Sequence, residues 1–107
     1  MVTRGEIYWA DLEPPVGRRP VCVLTRTRAT SVLTGIVCAP ITRTIRGIRS
    51  EVSVGPAQGL TEESVINCDT IVTVPKNQLA ESSVGQLDAP TTIQLDKALR
   101  YAQGIRW

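Results

Sequence analysis

The sequence predicts a mainly β fold (α+β), with five or six short strands followed by one C-terminal helix. Three observations predict it. Pro and Gly interrupt the chain at short intervals, the segments between them are apolar and rich in Val and Ile, and one stretch near the C-terminus has helical apolar spacing. The 107 residues suit a single domain, 1–107. Short strands joined by turns are typical of a strongly bent sheet or a partly open barrel.

Strands are expected in five segments of the chain. The first is stopped by Pro14 and Pro15, and the second is a continuous apolar run, which predicts burial on both faces. In the third segment Pro40 indicates a sheet edge or a bend, because proline cannot donate to a strand ladder. The last segment fits one long strand or two short ones. In chain order the segments are residues 5–12, 20–25, 35–41, 50–54 and 64–74.

The C-terminal segment has the signals of one helix. Thr91 and Gln94 fit a capping box, which places the start of the helix there, and Gly104 is a natural end. The apolar stripe at helical spacing is Leu95, Ala98, Leu99 and Ala102. A shorter helical turn is expected over residues 76–85, ended by Gly85.

The composition excludes several kinds of site. The chain has no histidine, which removes Ser-His-Asp catalysis, histidine metal sites and the two-histidine ribonuclease mechanism. It has no Phe and four other aromatic residues, too few for extended stacking of bases. Cys22, Cys38 and Cys68 form no CxxC pair, so no metal site is expected, and they are interpreted as buried thiols in a reducing cytoplasm. The N-terminus does not resemble a signal peptide, and no apolar run is long enough for a membrane span.

Positive charge is concentrated in the first half of the chain. Residues 1–50 hold eight Arg and three acidic residues (8 − 3 = +5), whereas residues 51–107 hold four basic and seven acidic residues (4 − 7 = −3). Ten of the twelve basic residues are Arg, whose planar fork suits phosphate groups. A solvated basic surface is the alternative interpretation.

The arginines are clustered in the connections between the predicted strands. Arg18 and Arg19 directly precede Pro20, which restricts Arg19 to an extended backbone. Arg26 follows the same strand, and the segment 42–47, TRTIRG, follows the third strand. Hydroxyl groups that alternate with guanidinium groups suit phosphate oxygens, since these accept hydrogen bonds from both. The alternative is that these segments are solubilising hairpin turns.

Four stretches of the sequence resemble, in order, the MazF/PemK family of type II toxin–antitoxin endoribonuclease toxins. They are RGEIYWADLEPPVGRRPVCVLTR, GIVCAPITRTIRG, SEVSV and ESVINCDTIVTVPKNQL, and the resemblance extends from Arg4 to about Leu99. It implies a small SH3-like, PemK-type barrel of five to seven strands with a C-terminal helix, which forms a homodimer in the cytoplasm. It also implies metal-independent, sequence-specific cleavage of single-stranded RNA, which inhibits translation and growth. No cofactor, membrane or DNA is expected, and the implied partner is a cognate antitoxin with an acidic, partly disordered segment.

The resemblance also assigns residues to the reaction. It places the catalytic arginine at Arg19 and the catalytic threonine at Thr42, and the implied reaction is attack of the 2′-hydroxyl on the adjacent phosphate. That reaction leaves a 2′,3′-cyclic phosphate and a 5′-hydroxyl. RNA supplies its own nucleophile, so the site must align that hydroxyl and stabilise charge on the phosphorane, which guanidinium and hydroxyl groups can do. The additional residues expected to bind RNA are Arg18, Arg26, Arg43 and Arg46.

The first loop departs from the family pattern. Many members have a longer loop with an acidic residue near the site, whereas here it is contracted to residues 14–20, PPVGRRP, and the nearest acid is Glu13. The general base is therefore left open. Two other functions remain as alternatives: a non-catalytic RNA- or protein-binding SH3-like barrel, and a CcdB-like gyrase poison. The RNA sequence that is cleaved, the target RNA class and the role of Trp107 are not assigned from the sequence.

Overall fold

A computed structural model describes residues 1–106, in which the chain forms seven strands and one α-helix; Trp107 lies outside the described residues. The helix, α1, is Ala89–Gln103. In chain order, strands β1 to β7 are Glu6–Asp11, Arg18–Val23, Gly35–Thr42, Glu51–Val54, Ser64–Asn67, Val72–Pro75 and Gly85–Gln86. The mainly β fold with a C-terminal helix is confirmed, and the segment 64–74 forms two short strands rather than one long strand.

The strands form one curled antiparallel sheet with the order β4–β5–β3–β2–β1–β7, and β6 also pairs with β3. Along one edge β3 changes its partner: its first half, through Cys38, pairs with β6, and Ile41 and Thr42 pair with β5. Pro40 lies between these two halves, as its missing N–H group led us to expect at a bend. This change of partner brings the end of β3 next to β5.

Two apolar clusters lie on opposite faces of the central strands. Ile7 and Cys22 belong to a cluster that includes β4, β5 and α1, whereas Tyr8, Val21 and Val23 belong to a cluster with β6. Residues 21 to 23 are fully buried, which confirms that the second strand is covered on both faces. Because the central strands are held from both sides, the residues at their ends have a rigid base.

The three cysteines are free and buried, as the sequence predicts. Burial raises the pKa of Cys22 and of Cys38 to about 12, and that of Cys68 to about 11. Thiols with such high pKa values remain protonated at neutral pH and act as packing groups, because the thiolate is the reactive form.

Two predicted helical segments differ from the structure in where they begin or end. The helix begins three residues earlier than the predicted capping box: Asp88 is the N-cap, and its carboxylate accepts a hydrogen bond from the Thr91 N–H at 2.9 Å. The region predicted as a helical turn contains a 3₁₀ turn at Lys76–Gln78, and Gly85 belongs to β7, which pairs with Ile7. Gly104 ends the helix with a positive φ of 70°, as predicted.

Candidate active site

Arg19 and Thr42, which the family resemblance predicts to be catalytic, lie in one open cleft. This cavity of about 490 Å³, called here the arginine cleft, is bounded by β2, the end of β3 and the segment that leads into β5. Its lining residues are Trp9, Arg18, Arg19, Pro20, Ile41, Thr42, Arg43, Thr44, Gly59, Leu60, Thr61, Glu62, Ser64 and Val84. The cleft therefore combines three guanidinium groups, one carboxylate and several hydroxyl groups.

Strand pairing positions the arginines of β2. In the antiparallel register Arg18 lies opposite Asp11, and Pro20 lies opposite Trp9. Arg18 donates a hydrogen bond to Asp11 at 3.4 Å, and its guanidinium carbon lies 5.5 Å from the centre of the Trp9 ring. Opposite residues of an antiparallel pair share a face of the sheet with their diagonal neighbours two positions away, which accounts for the contacts with Asp11 and with Trp9. Arg18 is therefore an exposed arginine with protein partners.

Arg19 differs from Arg18 in what its side chain touches. It is partly buried in β2 and lies opposite Ala10. Within residues 1–106 no hydrogen bond or ion pair involves its guanidinium group. Partly burying a guanidinium group that has no anionic partner costs free energy. Binding of an anion offsets this cost, so the side chain favours anion binding. Arg19 is the arginine of the cleft best prepared to bind a phosphate.

Thr42 is the last residue of β3, and its Cα is paired with that of Val65 in β5. Its hydroxyl oxygen accepts a hydrogen bond from the backbone N–H of Thr44 at 3.2 Å. This short turn orients the hydroxyl group, whose own hydrogen remains available to a ligand. The next residue, Arg43, donates to the carboxylate of Glu62 across the cleft.

Two of the arginines predicted to bind RNA do not line the arginine cleft. Arg26 is exposed before the 3₁₀ turn that follows β2. Arg46 is exposed in the β3–β4 loop, where the backbone N–H groups of Arg46 and Gly47 both donate to Glu51 at 3.0 Å. These arginines can extend a basic surface beyond the cleft. Glu13, the nearest acid in sequence, is exposed and is not among the lining residues either.

Residues 59–62, which form much of the far wall of the cleft, were not predicted from the sequence. Leu60, Thr61, Glu62 and Ser64 all contribute to the lining. The Ser64 hydroxyl is buried and donates to the backbone oxygen of Glu62 at 3.1 Å, which fixes the segment at the start of β5. The available signal was a short polar stretch, TEES, directly before an apolar strand. That signal is common to many loops, and the position opposite Thr42 depends on the pairing of β3 with β5.

The described part of the chain contains neither a metal-binding cluster nor a membrane-spanning helix. No group of three or more Cys, Asp or Glu side chains there is close enough to hold a metal ion. A helix that crosses a membrane must be both long and apolar, and residues 1–106 contain no such helix.

Comparisons with known proteins show which protein family the chain resembles. The family model described as PemK-like, MazF-like toxin of type II toxin–antitoxin system matches residues 3–102. Endoribonuclease MazF3 of Mycobacterium tuberculosis (strain CDC 1551 / Oshkosh) is 38% identical over 89 residues, which are 83% of this chain and 85% of that protein.

Solved structures agree with the sequence matches. The Mycobacterium tuberculosis toxin MazF-mt6 superposes with a TM-score of 0.88 at 36% identity, covering 95% of this chain and 99% of the other. A mycobacterial endoribonuclease in complex with its cognate antitoxin superposes with a TM-score of 0.87 at 28% identity, covering 100% of this chain and 99% of the other.

Proposed function

The chain belongs to the PemK-like, MazF-like toxins of type II toxin–antitoxin systems, and we propose that it is an endoribonuclease that cleaves single-stranded RNA in the arginine cleft without a metal ion. The observation that carries this proposal is the position of Arg19. It is a partly buried arginine with no anionic partner among the described residues, and it lies in the same cleft as the Thr42 hydroxyl. That pair matches the needs of phosphoryl chemistry on a substrate that contains its own nucleophile.

Each residue has a specific task in the proposed reaction. Arg19 donates to the non-bridging oxygens of the scissile phosphate and stabilises the charge that develops on the phosphorane. Thr42 donates to a phosphate oxygen or orients the 2′-hydroxyl. Arg18 and Arg43 hold neighbouring phosphates and set the register of the strand without reading its sequence. The products are a 2′,3′-cyclic phosphate and a 5′-hydroxyl.

The same proposal includes a homodimer and a cognate antitoxin in the cytoplasm. The guanidinium of Arg49 lies 4.4 Å from the ring centre of Tyr101, so the β3–β4 loop adjoins the end of α1. Ile45, Ile48 and Ile105 in these segments are exposed, and exposed apolar groups favour association. An acidic antitoxin segment would be attracted to the basic cleft, and a related mycobacterial endoribonuclease has been solved in complex with its cognate antitoxin. The free cysteines fit a reducing cytoplasm.

The proposal is tested with purified protein, mixed-sequence single-stranded RNA and excess EDTA. We expect discrete fragments with 2′,3′-cyclic phosphate ends. Arg19→Ala should lower the cleavage rate by on the order of 10²–10³, as when one preorganised donor is lost. Arg28→Ala is the matched control, since Arg28 is an exposed arginine that lies outside the cleft and has no predicted role in RNA binding. Intact RNA, with bound antitoxin shown to be absent, would contradict the proposal and favour a binding barrel or a gyrase poison.

A further inference from the structure

We propose that Glu62 is the general base that takes the proton of the 2′-hydroxyl group during RNA cleavage. This inference rests on the proposed function, in which the 2′-oxygen is the nucleophile. The sequence alone left the base open because the contracted first loop carries no acid and the chain has no histidine.

The chemistry of the lining residues leaves one candidate in the arginine cleft. The ionisable side chains among the described lining residues are Arg18, Arg19, Arg43 and Glu62. A guanidinium group stays protonated at neutral pH and cannot accept a proton, whereas a carboxylate can. The remaining polar side chains are hydroxyl groups and the Trp9 indole, none of which is a base at neutral pH. Glu62 is therefore the lining side chain able to accept the proton.

The fold holds Glu62 beside the end of β3 that carries Thr42, in the cleft that Arg19 also lines. Thr42 is paired with Val65, and Glu62 lies three residues before Val65 at the entry to β5. Its backbone oxygen is fixed by the buried Ser64 hydroxyl, and its carboxylate accepts from Arg43, the neighbour of Thr42. Neighbouring residues of the cleft thus hold both the backbone and the side chain of Glu62 in place. A general base needs this kind of orientation as well as an available proton site.

The ion pair with Arg43 is compatible with this role. A carboxylate has two oxygens that together accept about four hydrogen bonds, and Arg43 contacts one of them, Oε2. The other oxygen is available to the 2′-hydroxyl. The Arg43 guanidinium has five N–H donors, so it can hold Glu62 and an RNA phosphate at the same time. Arg43 would then position the base and the substrate relative to each other.

Cleavage exchanges one phosphorus–oxygen bond for another. Glu62 takes the proton from the 2′-hydroxyl, and the 2′-oxygen forms a bond to phosphorus. The bond from phosphorus to the 5′-oxygen breaks, and the leaving oxygen takes a proton from water. The resulting Glu62 carboxyl group then returns its proton to solvent.

The test compares Glu62→Gln with Glu63→Gln under single-turnover conditions at saturating protein. Glu63 is the matched control because it is the adjacent acid in the chain and faces the other side of the loop, beside Gly55. We expect Glu62→Gln to lower the cleavage rate by about 10²–10⁴-fold, the range for loss of a general base, and Glu63→Gln to leave it within about twofold. Thermal unfolding of each variant checks that it remains folded.

A pH profile distinguishes a base from a structural residue. The wild-type rate should rise with pH as the base loses its proton, and that rise should be absent in Glu62→Gln. The charged groups around Glu62 are Arg43 from the β3–β4 loop, Arg18 and Arg19 from β2, and Glu63 next in the chain. The Glu63→Gln profile shows whether the adjacent acid contributes to the rise.

A substrate with sulfur in place of the 5′-bridging oxygen separates a base from an acid. Sulfur leaves without a proton, so this substrate should restore cleavage to a variant that lacks a general acid and should not restore it to Glu62→Gln. Wild-type-like cleavage by Glu62→Gln, or rescue of that variant by the sulfur substrate, would overturn the assignment of the base while leaving the endoribonuclease function intact. Intact RNA with the wild-type protein would instead contradict the proposed function itself.

Discussion

The three arginines of the cleft differ in their partners, and that difference separates their proposed roles. Arg18 contacts Asp11 and the Trp9 ring, and Arg43 contacts Glu62. Ion pairs between exposed groups contribute little to stability, so Arg18 can exchange Asp11 for a phosphate at low cost. Arg43 has enough N–H donors to keep Glu62 and bind a phosphate as well. Arg19 has no partner to exchange among the described residues. It is therefore the side chain suited to the reacting phosphate, whereas the other two suit the flanking ones.

At Thr42 the hydroxyl group can be removed with little change in shape. Thr42→Val keeps the β-branched side chain at the end of β3, and it removes the oxygen that accepts from the Thr44 N–H together with the proton available to the phosphate. We expect the cleavage rate to fall by on the order of 10², because one preorganised donor is lost, with little change in thermal stability. Thr42→Ser restores the hydroxyl group and should restore most of the rate. A valine variant that cleaves RNA at the wild-type rate would exclude Thr42 from the reaction.

The elements that position the cleft were predictable to different degrees from the sequence. The second and third strands are apolar runs, and both lie where the sequence predicted them, within two residues at either end. The wall that includes Glu62 was not predictable, because its place depends on the pairing of Thr42 with Val65 and the sequence contains no signal for that register. Strand β7 was missed because two residues are too short for a periodic pattern. Gly85 was predicted to end a helical turn, whereas in the structure it lies against the backbone of Gln58.

Gly85 allows two backbone segments to approach closely beside the cleft. A Cβ atom at this position would lie 2.0 Å from the backbone oxygen of Gln58. Gly85→Ala must therefore displace the segment that continues into Gly59 and Leu60, which line the cleft. We expect the free energy of unfolding to fall by about 2–3 kcal/mol, the cost of overpacking, and RNA cleavage to fall with it. Chemical denaturation and the cleavage assay measure the two effects.

Gly104→Ala is the control for the glycine prediction. Gly104 has a positive φ of 70°, and apart from its chain neighbours and the helix backbone no described residue has an atom within 4 Å of the position of its Cβ. Its replacement should cost about 1–2 kcal/mol of stability, from backbone strain alone, and leave cleavage unchanged below the unfolding temperature. Equal effects of the two alanine variants on cleavage would show that the contact of Gly85 with Gln58 does not shape the cleft.

The small net charge of the whole molecule conceals a strong local concentration of positive charge. The formal charge is +2, yet the first 50 residues hold eight arginines and three acids. The fold brings three of these arginines into one cleft, where a single carboxylate from the acidic second half joins them. A basic concave surface attracts a polyanion at long range and concentrates it there. RNA and an acidic antitoxin segment would therefore compete for the same residues.

This charge distribution predicts a moderate salt dependence of RNA binding. If three phosphates of a single strand are neutralised by Arg18, Arg19 and Arg43, the logarithm of the association constant should fall with the logarithm of salt concentration with a slope of about −2, from a slope of about −0.7 per phosphate. The binding of a 2′-O-methyl RNA, which lacks the nucleophilic hydroxyl, measures this slope without cleavage. Arg19→Ala should make the slope less steep by about 0.7, whereas Arg28→Ala should leave it unchanged because Arg28 is exposed outside the cleft. A slope near zero would mean that RNA binds elsewhere or without phosphate contacts, and an effect of Arg28 equal to that of Arg19 would mean that the slope does not report on the cleft.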